Sequence, residues 1–192
     1  MCAPCQGDLP RSAAGAARLS GTAINDVFVP FAYAFPLDQI VLRFKFHRDL
    51  AAGNALSAVL RDEVCNYLHR LPIGRDTRVV PVPLGRWRYL ARGFNQAAVL
   101  AAAVAGSLGA PLDVACVRRL RTQGHQSRLG GAARRRNLRG AFTAMTRLDG
   151  LDIVIVDDVV TTGATALELA RALRRAGAAT VMLVALAVSD RP

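Results

Sequence analysis

The stretch VIVDDVVTTGAT, Val154 to Thr165, places two adjacent carboxylates between an apolar run and a threonine-rich turn. The run LDIVIV (151–156) is continuous, which is typical of a strand buried on both faces of a parallel sheet. The residues after the turn, ATALELARALRRAGA, have apolar positions at helical spacing and a terminating glycine, Gly177. The stretch therefore predicts a strand, a turn that carries two acids, and a helix.

The turn after the strand has the features of a phosphate site. A helix N-terminus offers unpaired backbone N–H groups and the positive end of the helix dipole, and both attract anions. Gly163 allows the backbone to approach a ligand closely. Hydroxyl donors come from Thr161, Thr162 and Thr165. The turn therefore predicts binding of a phosphate group.

The adjacent acids, Asp157 and Asp158, are expected to contact a different part of the same ligand, because carboxylates do not bind phosphate directly. Carboxylates accept hydrogen bonds from vicinal ribose hydroxyls, directly or with a divalent cation such as Mg²⁺. The simpler alternative is a pair of solvated helix caps followed by ordinary turn threonines. The complete order of apolar strand, Asp-Asp, Thr-Thr-Gly-x-Thr and amphipathic helix favours a sugar phosphate site. No Gly-Lys-Ser/Thr follows the strand, which distinguishes it from a Walker A loop.

Strands and helices alternate through most of the chain. VFVPFAYAF (27–35) is predicted as a strand with Pro30 at an edge or bulge, and Pro36 opens a short helix. The other predicted elements are a helix with an apolar stripe from Leu56 to Leu68, a strand at 78–85, a helix closing at Gly109, a strand in PLDVACVRRL (111–120) and a last strand at 180–188. This order predicts a doubly wound, mostly parallel α/β sheet, whose ligands bind outside the carboxyl ends of the strands.

Length and charge limit the organisation and the partners of the chain. The 192 residues suit one domain, 24–192, preceded by a small cysteine-containing segment and linker, 1–23. The formal net charge is +11, and eleven arginines but a single acid, Asp113, lie between Arg86 and Arg139. This excess predicts polyanionic partners, either phosphorylated small molecules or nucleic acid. No apolar run approaches the roughly 18 residues of a membrane span, and the start lacks a secretory signal pattern, so a cytoplasmic protein is expected.

Four cysteines, Cys2, Cys5, Cys65 and Cys116, are too irregularly spaced for a disulfide framework, so reduced thiols are expected. Structural zinc normally requires four ligands, and CAPC at 2–5 supplies two. Cys65 falls in a helical stripe and Cys116 in a predicted strand, and both are predicted to be small buried thiols. Zinc is therefore not favoured, although Cys2 and Cys5 leave open a site shared between two chains.

Three ordered stretches identify a family resemblance. VIVDDVVTTGAT resembles the phosphoribosyl pyrophosphate (PRPP) motif of type I phosphoribosyltransferases. VVPVPLGRWRYLARGFNQA (79–97) and HQSRLGGAARRRNLRGAF (125–142) resemble signatures of the ComF family of competence-associated, phosphoribosyltransferase-like proteins. The resemblance spans roughly residues 25–190 and implies the type I phosphoribosyltransferase fold. ComF proteins commonly begin with a zinc ribbon of two cysteine pairs, so CAPC resembles the remnant of a shortened ribbon.

The resemblance also implies roles for individual residues. Asp157 and Asp158 would hold the ribose hydroxyls and Mg²⁺, directly or through water, and are the candidate catalytic residues. The 5′-phosphate would bind at Thr161, Thr162, Gly163, Ala164 and Thr165, and the pyrophosphate-side loop would start at Leu84 and Gly85. A mobile loop, or a nucleic acid surface, would include Arg128, Arg134, Arg135, Arg136, Asn137 and Arg139. A place on the active face is expected for Arg92, Asn95 and Gln96. The simpler alternatives are a solvated charge run for the arginines and a helix cap for Asn95.

Three functions agree with these features. The first is a ComF-like protein that binds Mg-PRPP or a related ribose phosphate, such as ribose 5-phosphate, and acts with the DNA-uptake machinery on single-stranded DNA. The second is a metabolic phosphoribosyltransferase that releases pyrophosphate from PRPP, with residues 24–75 as a hood over the acceptor. The third is a regulator that senses PRPP without turnover. The first function is the one predicted, and the other two are alternatives, because the sequence does not separate binding of PRPP from its turnover. The sequence also does not decide between a monomer and a homodimer.

Overall fold

The computed structural model describes residues 3–12, 23–67, 74, 76–120 and 138–189. The strands in these ranges are β1 (Asp26–Phe28), β2 (Phe31–Ala32), β3 (Thr77–Pro81), β4 (Val117–Arg119), β5 (Phe142–Ala144), β6 (Asp152–Val160) and β7 (Thr180–Val188). The helices are α1 (Ala3–Gly7), α2 (Leu37–Phe46), α3 (Leu50–Tyr67), α4 (Arg86–Arg92), α5 (Gln96–Leu108) and α6 (Ala164–Arg175).

A parallel sheet forms the centre of the described structure. Its order is β1-β7-β6-β3, with β2 also pairing with β7, and every pair in it is parallel. β4 and β5 form a separate antiparallel pair. The prediction of an α/β fold with a mostly parallel sheet is confirmed. Its physical basis is the apolar run in β6, which is buried over Ile153–Val156.

Helices cover both faces of the sheet because successive strand residues point to opposite sides. Ile153 and Ile155 pack on the side of α6, in a core that includes Leu169 and Leu173. The other face, with Val154 and Val156, packs against α2, α3 and α5, whose buried side chains include Val41, Phe44, Leu56, Leu60, Leu100 and Val104. Because β3 and β6 are parallel, they run toward the same edge of the sheet.

The N-terminal strand differs in detail from the prediction. The run 27–35 is not one strand but two short ones, β1 and β2, separated by Val29 and Pro30. Both pair with β7 at the edge of the sheet, where the missing N–H of Pro30 costs no ladder hydrogen bond. The preceding residues run along β2, because the Ala32 N–H donates to the Pro10 carbonyl at 2.8 Å. Leu9 is 3% exposed, so the described part of the appendage joins the core, while the boundary at residue 23 stays a prediction.

Two predicted elements are corrected by the structure. The stretch 111–120 is not one continuous strand: Leu112 forms an isolated parallel bridge with Val79 of β3, and Val117–Arg119 pairs with β5 instead. The chain turns between these two pairings, because the Asp113 carboxylate accepts the N–H groups of Ala115 and Cys116 at 3.1 and 2.9 Å. The loop after β3 contains a helix, α4, that the sequence did not indicate.

The thiol prediction holds for one cysteine and is wrong for another. Cys116 is 1% exposed, and burial raises the pKa of its thiol to about 12. Cys65 is exposed instead of buried. The reason is helical phase: the buried stripe of α3 passes through Leu60 and Val64, and one further residue turns the side chain about 100° toward solvent. None of the described helices has the length and apolarity needed to cross a membrane.

Candidate functional site

The two acids lie where β6 continues beyond its neighbour β3. The β3 pairing ends at Pro81 opposite Val156, and the Val82 N–H donates to the Val156 carbonyl at 2.9 Å. The sequence placed the acids after the strand, but β6 runs on through both of them to Val160 and stays paired with β7. The acids are therefore at a carboxyl end only with respect to β3, and both are half-buried.

Each carboxylate of the pair is oriented by local hydrogen bonds. The Asp158 N–H donates to Asp157 Oδ1 at 2.9 Å, and the Val159 N–H donates to Asp158 Oδ1 at 2.6 Å. Burial, and then the charge of Asp158, raise the pKa of Asp157 to about 7. Near neutral pH the Asp157 carboxyl can therefore accept or donate a hydrogen bond, and both actions suit a hydroxyl partner.

Positive side chains from three other segments face the acids. Lys45 on α2 places its Nζ 3.0 Å from Asp158 Oδ2, and both side chains are about 15% exposed. The positive charges of Lys45 and Arg119 lower the pKa of Asp157 and so offset part of the increase caused by burial. Burial lowers the pKa of Arg92, and the charge of Asp158 opposes this shift. The acids thus lie in a largely cationic setting.

Lys45 is a site residue that the sequence reasoning missed. No local signal marks it, because its partner Asp158 is far away in the chain and the contact depends on how α2 packs over the sheet.

The RGFNQ stretch connects the helix α5 to the same edge. The Asn95 side chain accepts the Ala97 N–H at 3.1 Å and donates to the Val82 carbonyl at 3.1 Å, so it caps α5 and ties it to the end of β3. Arg92 donates to Gln96 Oε1 at 3.0 Å, and Gln96 is 1% exposed with its Nε2 unpaired. The structure therefore brings Arg92 and Gln96 together beside the acids, while the local geometry of Asn95 is that of a cap.

The loop after β3 approaches the acids through an arginine. Leu84 and Gly85 are half-buried, and Gly85 is the N-cap of α4. A Cβ on Gly85 would lie 3.9 Å from the Cδ and Nε atoms of Arg119, whose guanidinium is 5.4 Å from the centre of the Phe142 ring. Arg119 is thus positioned between the loop that was predicted for pyrophosphate and Asp157.

The threonine turn leads directly into α6. Gly163 has φ +68°, a left-handed conformation that L side chains rarely adopt, and α6 begins at the next residue. Thr161 and Thr162 are exposed, while Ala164 and Thr165 are half-buried. The N-cap residue Gly163 has no side chain, and the only side-chain contact at the start of α6 in the described hydrogen bonds is a long one, from the Ala164 N–H to Thr162 Oγ1 at 3.5 Å. The N–H groups of the first turn are therefore largely available to an anion.

The predicted arginine loop is described only at its end. Arg128, Arg134, Arg135, Arg136 and Asn137 lie outside the described residues. Arg139 is exposed, and the next residue, Gly140, donates its N–H to Glu168 Oε1 at 2.8 Å. Glu168 is 6% exposed and also accepts from Arg171 at 3.2 Å. This buried glutamate, which the sequence did not single out, anchors the loop end to α6.

The two acids are better suited to a cation that binds together with the ligand than to a cation held permanently by the protein. Mg²⁺ is commonly held by one or two carboxylates together with substrate phosphates and water. Among the described residues no group of three or more His, Cys, Asp or Glu side chains is placed to hold a metal. Asp157 and Asp158 can supply the two carboxylates, although Asp158 also pairs with Lys45. For zinc, Cys5 is exposed and Cys2 lies outside the described residues, so that prediction stays open.

Comparisons with known proteins give consistent matches. The model of the phosphoribosyl transferase domain matches residues 95–192. The DNA utilization protein YhgH of Salmonella typhi is 40% identical over 151 residues, which cover 79% of this chain and 66% of that protein. Competence protein F of Haemophilus influenzae is 31% identical over 162 residues, which cover 81% of this chain and 69% of that protein. The chain thus spans about two thirds of the length of these relatives.

Two solved structures also align with this chain. Glutamine PRPP amidotransferase from B. subtilis aligns with 65% of this chain and 26% of its own, with TM-score 0.42 and 22% identity. Purine phosphoribosyltransferase from Pyrococcus horikoshii aligns with 71% of this chain and 73% of its own, with TM-score 0.41 and 18% identity.

Proposed function

The chain belongs to the ComF family of proteins with a phosphoribosyltransferase domain, and from this premise we propose that it binds PRPP or a related ribose phosphate and acts in DNA uptake. The observation that carries the first half of the proposal is one juxtaposition. The acids of β6, the start of α6 and the Gly85 loop with Arg119 all lie around one edge of the sheet.

The proposed binding mode divides the ligand among these elements. The carboxylates of Asp157 and Asp158 hold the vicinal ribose hydroxyls, and the N–H groups at the start of α6 hold the 5′-phosphate. Arg119 and the backbone at Gly85 face the pyrophosphate side. Asp157 and Asp158 would also hold Mg²⁺ that arrives with the ligand, and the cation would supply positive charge against the pyrophosphate.

Lys45 has a role of its own in this mode. Its ion pair with Asp158 Oδ2 restrains the position of that carboxylate before the ligand arrives. Its positive charge also lowers the repulsion that the carboxylate pair exerts on an incoming phosphate.

Calorimetry with Mg-PRPP tests the binding site. Asp157→Asn combined with Asp158→Asn keeps the shape of the pair but removes its charge, and Mg-PRPP affinity should fall at least about tenfold, since each charged hydrogen bond contributes roughly 1.5–3 kcal/mol. Asp62→Asn is the matched control, because Asp62 is a surface acid that pairs only with its neighbour Arg61 in the described contacts. Equal affinity in the parent and the double variant would contradict the assignment of the ribose site.

The second half of the proposal concerns DNA. Relatives of this chain are named DNA utilization protein and competence protein, and the arginine excess between residues 86 and 139 suits a polyanion. We therefore propose that the chain handles incoming single-stranded DNA. Replacing Arg134, Arg135 and Arg136 by Gln should lower the dependence of log affinity on log salt by about two, at roughly 0.7 for each phosphate contact. An unchanged salt slope would remove this loop from DNA binding.

A specific observation favours a second candidate, phosphoribosyl transfer to an acceptor. Tyr33 and Lys45 both come from residues 24–75, the part that was predicted as a hood. Lys45 pairs with Asp158, and the charge of Asp158 adds to burial and to Asp38 in raising the pKa of Tyr33. Residues from this part therefore cover one side of the cleft where an acceptor would bind. Release of pyrophosphate from Mg-PRPP in the presence of candidate nucleobases would support transfer. Binding without release would support the DNA-linked role or a sensor.

A further inference from the structure

Helix α4, with the sequence RWRYLAR, exposes its large apolar side chains on all sides. Trp87 is 67% exposed, Tyr89 is 50% exposed and Leu90 is 60% exposed, and no residue of the helix is buried. Helices this short are marginal in water, and adjacent exposed apolar side chains usually mark an interaction site. The helix therefore presents a surface that requires a partner.

The helix is regular, and Arg92 in its last turn ties it to α5 by donating to Gln96 Oε1 at 3.0 Å. The Tyr89 N–H donates to the Gly85 carbonyl at 3.0 Å, and the Gly93 N–H donates to the Tyr89 carbonyl at 2.7 Å. Gly93 ends the helix with φ +83°, a left-handed conformation. Aromatic side chains on an element fixed in this way are suited to stacking.

The charge of the surface is uniformly positive. Arg86, Arg88 and Arg92 alternate with the apolar residues, and no acid occurs in the sequence between Asp76 and Asp113. The Arg92 guanidinium lies 5.1 Å from the centre of the Phe46 ring, which is 62% exposed and extends the surface onto α2. We call Phe46 and Arg86–Arg92 the aromatic-arginine platform.

The alternation of rings and guanidinium groups points to a polyanion with flat apolar parts. Single-stranded DNA has this chemistry, because its bases stack on aromatic rings while its phosphates pair with arginines. A second copy of the chain fits less well, since a twofold contact of this surface with itself would set arginines against arginines.

We propose that the aromatic-arginine platform is the stacking surface for single-stranded DNA, an inference that rests on the proposed role in DNA uptake. Trp87 and Tyr89 are two residues apart in a helix and point to different sides, so each takes its own base. Arg88, which lies between them, and the flanking Arg86 hold the neighbouring phosphates. Phe46 offers a third ring beside Arg92.

Trp87 makes the proposal directly measurable, because it is the single tryptophan of the chain. The full-length protein is titrated with a labelled 20-nucleotide oligo(dT), and DNA anisotropy and protein fluorescence are recorded together. Stacking of a base on the indole should quench Trp87 emission in parallel with the anisotropy rise. An abasic oligonucleotide of equal length, which has phosphates but no bases, should bind more weakly and leave the emission nearly unchanged.

Variants separate stacking from charge. Trp87→Ala and Tyr89→Ala should each weaken oligo(dT) binding roughly tenfold, with Trp87→Phe close to the parent, since stacking contributes about 1–3 kcal/mol per base. Phe35→Ala is the control, because Phe35 is 78% exposed and outside the platform. Urea unfolding and circular dichroism of the same variants should match the parent, which shows that they are folded.

The outcomes distinguish the platform from the proposed function. Oligo(dT) binding without Trp87 quenching, or with unchanged affinity in both alanine variants, would overturn the platform and leave the DNA role intact. Absence of any oligo(dT) binding would overturn both. A protein-concentration-dependent blue shift of Trp87 without DNA would assign the surface to a second copy, and a blue shift with vesicles of anionic lipid alone would assign it to a membrane.

Discussion

The ion pair between Lys45 and Asp158 should couple the N-terminal half of the chain to the ligand site. Its two atoms are 3.0 Å apart and both side chains are about 15% exposed. At an effective dielectric constant of 20 the gross attraction is about 5 kcal/mol, most of which is offset by the desolvation of both groups. Exposed pairs contribute about 0–1 kcal/mol, and removing one partner of a buried pair costs about 3–5. A coupling energy of about 1–2 kcal/mol follows for this intermediate case.

A double-mutant cycle measures that coupling. Lys45→Met, Asp158→Asn and the combination are unfolded with urea at neutral pH, without ligand and with EDTA. Lys45→Met alone should be the least stable, because it leaves a half-buried carboxylate next to Asp157, and Asp158→Asn should restore part of the loss.

The exposed pair Arg61 and Asp62, at 3.2 Å with side chains about half exposed, is the matched control and should couple by less than about 0.5 kcal/mol. A coupling for Lys45 and Asp158 no larger than that of the control would refute the placement of Lys45 at the site.

Three further predictions follow from the same structure. The pKa of Asp157 is raised to about 7 from the 3.8 of the free group, so its ionisation opposes folding above about pH 4. In urea titrations Asp157→Asn should therefore be more stable than the parent at pH 8, and the difference should vanish near pH 4. A difference that does not change with pH would refute the shift. Ellman's reagent should label Cys65 rapidly and Cys116 only on unfolding, and equal rates would contradict the burial of Cys116. Glu168→Ala should cost about 1–3 kcal/mol by leaving the Gly140 N–H without its acceptor, with Glu168→Gln less affected; a loss confined to Glu168→Gln would be inconsistent with that bond.

The features that could be predicted from sequence depend on local patterns. The continuous apolar run of β6, the helical spacing of α6 and the capping chemistry of Asn95 each involve residues close in the chain. Gly163 was expected to allow close backbone approach, and its left-handed conformation agrees with that expectation. The order of these signals was enough for the α/β class and for the edge at which the acids lie.

The errors occurred where a local pattern has two outcomes. The stretch 111–120 was predicted as one strand, but the hydrogen bonds of Asp113 form a turn that divides it into a bridge to β3 and the short strand β4. Cys65 sits one position past a buried stripe, so an error of one residue in helical phase moved it from core to solvent. The acids remained inside β6 because β7 continues to pair with it after β3 has ended.

The sequence by itself determined the buried strand β6, the amphipathic helix α6 and the threonine turn between them, because each is encoded by the spacing of neighbouring side chains. The alternation of such strands and helices was enough to indicate the parallel α/β sheet. The tertiary structure alone decided that Lys45 meets Asp158, that Glu168 holds Gly140 and that α4 leaves Trp87 in solvent. The first two are contacts between segments distant in the chain, and the third is the absence of packing against the rest of the described structure. None of these three features has a periodic pattern in the sequence, since each depends on how whole helices and strands pack against the sheet.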